Sequence, residues 1–216
     1  MPGIGLFGGT FDPVHMAHLR TAEEVREALA LDRIHFVLAA TPPHKSPGTQ
    51  APVAHRRRML ELAVEGNAAF RADFSELERE GPSYSIDTIR AAQARDPDAQ
   101  ITFILGADAF AAIATWKDYA DLFTLCDFCV ISRPGTRDGE LSIAVENAFC
   151  YESSRGVYVH RSGSTLRFLP VTALMISASD IRHRCVNGQS IRYLVPATVA
   201  EYLTMHGLYT GRTTDR

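Results

Sequence analysis

Chemistry is most concentrated in the stretch Gly8-Gly9-Thr10-Phe11-Asp12-Pro13-Val14-His15-Met16-Ala17-His18. Paired glycines lack Cβ atoms, so a bulky anion can come close to the backbone. An apolar run precedes them and a helical pattern follows. A helix start offers unpaired N–H groups and about half a positive charge, a natural seat for phosphate. His15 and His18 are three apart, so on a first helical turn their rings share one face. Imidazoles there can donate hydrogen bonds to phosphate oxygens and, when protonated, add charge. Incidental surface histidines beside an ordinary turn would look similar in isolation. So would a metal site, but no third ligand of suitable type stands nearby.

The elements that must position these groups follow from periodicity. Residues 4–7 are an apolar run ending at Gly8-Gly9, which suits a buried strand and a tight turn. Over residues 15–31, Leu19, Ala22, Val25 and Leu29 recur at helical spacing, with Glu23, Glu24 and Glu27 off that face. Residues 34–39 form the next strand, and strand, helix and strand imply a right-handed parallel unit. Residues 40–52 hold four prolines and a glycine and read as a loop. A helix is predicted over 53–66, with Met59, Leu60, Leu62 and Ala63 buried. A short strand follows at 70–74, then a helix over 84–95 behind Gly81-Pro82-Ser83. Strands at 101–105 and 128–132 are stopped by Gly106 and by Arg133-Pro134-Gly135. Further strands are expected at 157–160 and 168–174, and helices at 180–186 and 196–205.

This alternation predicts an α/β fold: a Rossmann-like doubly wound parallel sheet with a small C-terminal helical part at about 177–210. A length of 216 residues suits a single domain over 1–216. Such sheets bind ligands beyond the carboxyl ends of their strands. Gly8-Gly9, the proline-rich loop, Gly106 and Arg133 should therefore meet on one rim.

Composition narrows the function classes. Apolar residues are 46% and charged residues 22%, ordinary for a globular chain. A net charge of -3 argues against a dedicated nucleic-acid binder but leaves room for a local basic pocket. His55-Arg56-Arg57-Arg58 reads as a solvated helix face, with one substrate-side arginine at most. No charged leader precedes an apolar stretch, and no run reaches the roughly 18–20 residues that span a bilayer. Four cysteines do not suggest a disulfide scaffold. A cytoplasmic, membrane-free protein is the expectation. Cys126 and Cys129 read as core cysteines of a strand over 125–132, on opposite faces because they are three apart. Oligomeric state is open, a homo-oligomer included.

The stretch from Gly8 to His18 resembles the signature of the HxGH nucleotidyltransferase superfamily. Ile176-Ser177-Ala178-Ser179-Asp180-Ile181-Arg182 is similar to the superfamily's ISSTxIR segment. Pro42-Pro43-His44-Lys45, Pro82-Ser83-Tyr84-Ser85, Gly106-Ala107-Asp108, Trp116, Arg133-Pro134-Gly135 and Gly207-Leu208-Tyr209 resemble one branch, the bacterial nicotinate-mononucleotide adenylyltransferases. The resemblance covers nearly the whole chain, in order. It implies transfer of AMP from ATP to nicotinate mononucleotide, giving deamido-NAD and pyrophosphate in NAD biosynthesis.

The same resemblance implies roles for individual residues. His15, His18, Lys45 and Arg182 would be catalytic and supply positive charge. ATP would lie against Gly8, Gly9, Thr10, Phe11, His15, His18, Gly106, Asp108, Ser177, Ile181 and Arg182. Ser177 would cap a helix, and the fork of Arg182 would grip the triphosphate. The mononucleotide would meet His44, Lys45, Ser83, Tyr84, Ser85, Asp108, Trp116 and Arg133. Amides near Tyr84 and Ser85 would take the nicotinate carboxylate, and the indole of Trp116 would stack on the pyridinium. Mg2+ would accompany ATP, with no ligands identified in the sequence. Three departures stand out: Ala17 replaces the glycine of HxGH, and Ala178 and Ser179 replace Ser and Thr. Other acceptors, nicotinamide mononucleotide or phosphopantetheine, and a nucleotide-binding regulator without turnover are the alternatives.

Overall fold

The computed structural model describes residues 1–40, 50–132 and 143–210. Eight strands form one sheet: β1 (Gly3–Gly9), β2 (Arg33–Leu38), β3 (Phe70–Asp73), β4 (Gln100–Gly106), β5 (Asp127–Ser132), β6 (Phe149–Glu152), β7 (Val157–His160) and β8 (Thr165–Pro170). Their order across the sheet is β3-β2-β1-β4-β5-β8-β7-β6. The six strands from β3 to β8 pair in parallel, and β7 and β6 close the edge in antiparallel fashion.

The central strands are buried on both faces, which is why they read as continuous apolar runs. Alternation sorts their side chains between two cores. Ile4 and Leu6 of β1, Phe103 and Leu105 of β4, and Phe128 and Val130 of β5 point to one core. Phe7, Ile104 and Cys129 point to the other. The first core is covered by α3 (Ser85–Arg95) through Ile86 and Ile89, and by α5 (Tyr119–Leu125) through Leu122 and Phe123. The short α4 (Ala107–Ala111) adds Phe110. The second core is covered by α1 (Met16–Ala28), α2 (Val53–Val64), α7 (Ala178–Val186) and α8 (Ala197–Met205). These contribute Ala22 and Val25, Met59 and Leu60, Ile181, and Val199 and Leu203. A further short helix, α6 (Ile143–Glu146), precedes β6.

The sheet is thus doubly wound and Rossmann-like. Helices following β1 and β2 lie on one face, and those flanking β4 and β5 on the other. The winding reverses between β1 and β4, which opens a crevice at the carboxyl ends of these neighbours.

Most predicted elements appear within two residues of their expected bounds. The last strand differs. It spans Thr165–Pro170 rather than 168–174, because its partner β5 ends at Ser132, which pairs with Pro170. Cys126 is not in a strand either. It closes α5, and β5 starts at Asp127, whose carboxylate accepts from Thr165 and Gln100. Cys126 and Cys129 do enter opposite cores, as their spacing implied, and burial pushes the Cys129 thiol up to about 12. Residues α4, α5 and β6 comprise were not assigned by periodicity. No described helix is long and apolar enough to cross a membrane.

Candidate active site

The rim over β1 and β4 gathers the signature residues. At Gly8 a Cβ would meet nothing within 4 Å, so this main chain borders open space. At Gly9 it would come within 2.9 Å of the Phe11 ring. Phe11 adopts a left-handed φ of 46° and tucks its ring beneath the loop. That ring meets His18 edge-on, with centroids 5.1 Å apart.

The chain then enters α1 with His15 at the cap position. The His15 N–H donates to Nδ1 of His18 at 3.2 Å, and the two rings stack with centroids 3.6 Å apart and planes 20° apart. The expected shared face is present. Since Nδ1 of His18 accepts, a neutral His18 carries its proton on Nε2. Burial lowers the pKa of His15 to about 4. In the free protein His15 is therefore a neutral imidazole, not the positive charge expected from the sequence. What it offers an incoming phosphate is a hydrogen bond.

Two arginines bring positive charge to this region, Arg182 as expected and Arg56 in addition. Arg182 of α7 donates from Nη1 to the main-chain oxygen of Asp12 at 2.7 Å, across 170 residues of sequence. Its helix is capped as expected, Ser177 Oγ accepting from the Asp180 N–H at 3.1 Å. Ile181 turns its side chain into the core and anchors that helix. Arg56 corrects the solvated-face reading of His55–Arg58. It is 1% exposed, and Nη1 donates to the carbonyls of Thr10 and Ala39 at 3.0 and 2.9 Å. It clamps the carboxyl ends of β1 and β2 together. Only Arg57 and Arg58 are solvated, each paired with Glu61.

Asp12 is the buried counter-charge, and its role was not read from the sequence. Its carboxylate accepts from the N–H groups of Gln50 and Ala51 at 2.7 and 3.1 Å, and from the Tyr209 hydroxyl at 2.6 Å. Burial, with Asp12 beside it, pushes the Tyr209 pKa up, so that hydroxyl is a donor. Only the FDP spacing and the terminal Gly-Leu-Tyr hinted at this hub. Four buried side-chain nitrogen or oxygen atoms among the described residues lack a hydrogen-bond partner, and His15 Nδ1 and Arg182 Nε are two of them. Both belong to groups at this mouth, and such atoms cost energy until something pairs with them.

The second half of the rim lies over β4. Gly106 ends that strand and a Cβ there would meet nothing within 4 Å. Asp108 follows, exposed in the first turn of α4. Ser83 Oγ accepts from the Ala40 N–H at 3.2 Å, tying the start of α3 to the end of β2. Tyr84 caps α3, and Ser85 is its first residue. Lys117 lies 4.7 Å above the Tyr84 ring and 3.1 Å from Asp87, which holds the Trp116 segment against that helix start. The Trp116 ring is half-buried, edge-on to Phe103 at 6.2 Å. Tyr84 and Trp116 thus pack on the same core, on the opposite side of the sheet from His15, His18 and Arg182. His44, Lys45 and Arg133 lie outside the described residues. No group of three or more His, Cys, Asp or Glu among the described residues could hold a metal ion.

Comparison with known proteins shows the family and the fold. A family model described as cytidylyltransferase-like matches residues 6–184. A protein named probable nicotinate-nucleotide adenylyltransferase from Geotalea uraniireducens (strain Rf4) is 43% identical over 210 residues, covering 95% of this chain and 97% of its own. One of the same name from Geobacter sulfurreducens (strain ATCC 51573 / DSM 12127 / PCA) is 43% identical over 209 residues, with the same coverage. The fold is similar to that of Plasmodium falciparum nicotinic acid mononucleotide adenylyltransferase complexed with NaAD, with a TM-score of 0.71 at 17% identity. That match covers 97% of this chain and 98% of the other.

Proposed function

The chain belongs to the cytidylyltransferase-like family, among the nicotinate-nucleotide adenylyltransferases, and from that membership we propose the reaction it carries out. AMP passes from ATP to nicotinate mononucleotide, forming deamido-NAD and releasing pyrophosphate. A phosphate oxygen of the mononucleotide attacks the α-phosphorus of ATP, and the bond from that phosphorus to the bridging oxygen of pyrophosphate breaks. No enzyme nucleophile is needed. Two anions must meet, so the protein contributes positioning and charge compensation.

The observation that carries this reading is the bond from Arg182 to the Asp12 carbonyl. It ties a guanidinium 170 residues away to the loop that joins Gly8-Gly9 to the stacked histidines. In this reading ATP lies on the α1 and α7 side, its phosphates meeting the Gly8 backbone, His15, His18 and Arg182. The mononucleotide lies on the α3 side, with Trp116 under the pyridinium ring and the Tyr84 and Ser85 amides at the carboxylate. His44, Lys45 and Arg133 complete the proposed contacts to phosphate, and Asp108 those to hydroxyl or amide groups. Mg2+ enters as part of the ATP substrate. The Asp12 carboxylate is already taken by three donors, so it is not proposed as a ligand of that ion. The reading places the enzyme in the cytoplasm as a single domain over 1–216, with no nucleic-acid partner.

The test is pyrophosphate release with MgATP and a panel of acceptors: nicotinate mononucleotide, nicotinamide mononucleotide and phosphopantetheine. Nicotinate mononucleotide should give the highest kcat/KM. His18→Ala should lower kcat by about a hundredfold or more, the scale of one lost electrostatic donor. Preference for another acceptor, or ATP binding without turnover, overturns the reading. An unchanged kcat in His18→Ala removes that residue's role.

A further inference from the structure

A buried polar network behind the start of α3 has no part in the chemistry above. Thr88 is 3% exposed. Its hydroxyl donates to Glu76 Oε1 at 2.6 Å and accepts from Arg79 Nη2 at 2.6 Å. The Tyr84 carbonyl lies 3.3 Å from the same oxygen, and accepts the N–H groups of Asp87 and Thr88 at 3.1 and 3.2 Å. Glu76 is 9% exposed, and its other oxygen is buried with no hydrogen-bond partner. Arg79 sits 3.9 Å from that carboxylate with a third of its side chain exposed.

Burying a carboxylate costs energy that the chain would avoid by leaving it in water. Here the cost is met beside a helix N-terminus, whose dipole favours negative charge. The result is a Thr88 hydroxyl pinned between one acceptor and one donor, both charged. Charge-assisted bonds of this kind are short and directional. They fix the first turn of α3 from behind, while Ser83 fixes it from the side of β2.

We propose that Glu76, Thr88 and Arg79 are positioning residues. They hold the Tyr84 and Ser85 amides in the orientation that favours a carboxylate over a carboxamide on the bound pyridine ring. This rests on the reading of those amides as the carboxylate site. Two N–H groups aimed together suit an anion with two equivalent acceptor oxygens. A carboxamide presents one acceptor and one donor, so it draws less from that alignment and loses less when the turn loosens.

The experiment measures kcat/KM for nicotinate mononucleotide and for nicotinamide mononucleotide at saturating MgATP. Thr88→Val keeps the shape and removes the hydroxyl. It should lower the acid-to-amide ratio about tenfold, the scale of a lost hydrogen bond to charged partners, with KM for ATP unchanged. Thr88→Ser should restore the ratio. Should Thr88→Val not fold, Arg79→Met decides, since Arg79 is partly exposed and its loss should move the ratio the same way. An equal fall for both acceptors, or an unmoved ratio, overturns the proposal. A wild type that uses neither mononucleotide overturns the function itself instead.

Discussion

His15 gives the fold a pH dependence whose size can be worked from its surroundings. The ring is 6% exposed, lies against His18 and leaves Nδ1 buried without a partner. Protonation would put a cation there with nothing to accept its new hydrogen bond, which is why burial lowers its pKa to about 4. In the unfolded chain the same histidine takes up its proton near the ordinary 6.5. Between these values the unfolded state binds more protons than the folded one. Stability is therefore full above about pH 6.5 and is lost as pH falls toward about 4. A gap of this size corresponds to roughly 3 kcal/mol once pH reaches the folded value, at about 1.4 kcal/mol per unit. The assay is urea denaturation of wild type and His15→Gln at several pH values between about 7.5 and 4.5. Glutamine cannot titrate, and all other groups are common to both proteins. The stability difference between them should move in favour of the variant by about 2.5 kcal/mol across that range. Parallel curves, whose separation changes by less than about 0.5 kcal/mol across the range, would refute the claim that the site holds His15 neutral.

Asp12→Ala removes the acceptor for two main-chain N–H groups and the Tyr209 hydroxyl, and takes the counter-charge from buried Arg56. The expected loss is about 3–5 kcal/mol, or a fall in Tm of about 10 °C in a chain this long. A fall under about 3 °C in a thermal melt would contradict the hub. Gly8→Ala and Gly9→Ala should separate ligand space from packing. The added methyl at position 8 meets only open space, so Tm should hold while KM for ATP rises. At position 9 it strikes the Phe11 ring, itself enclosed by Phe7, Phe36 and His18, and should cost about 1–3 kcal/mol. Equal destabilisation by the two substitutions would show that Gly8 does not border a free cleft.

Much of this molecule is legible in its sequence because burial leaves a pattern. The continuous apolar runs of β1, β4 and β5 mark strands covered on both faces, and the helical stripe of Ala22 and Val25 marks the buried side of α1. Gly8-Gly9, His15 and His18 mark a candidate anion site through residue type and spacing, and Arg182 is marked by the resemblance of its segment. Their convergence is a different matter. Asp12, Arg56 and Tyr209 are polar residues whose ordinary place is the surface, and nothing local marks them as buried. Asp12 and Tyr209 are 197 residues apart, and their bond exists only because α8, packed on α2, brings Tyr209 back to the loop after β1. The limit of β8 was likewise set by its neighbour, since a strand continues only while a partner offers hydrogen bonds. Local pattern determined which segments would be strands and helices and which residues could act. Tertiary structure decided which charges were buried, what compensated them and that His15 stays neutral, because desolvation and pairing depend on distant groups that no window of sequence contains.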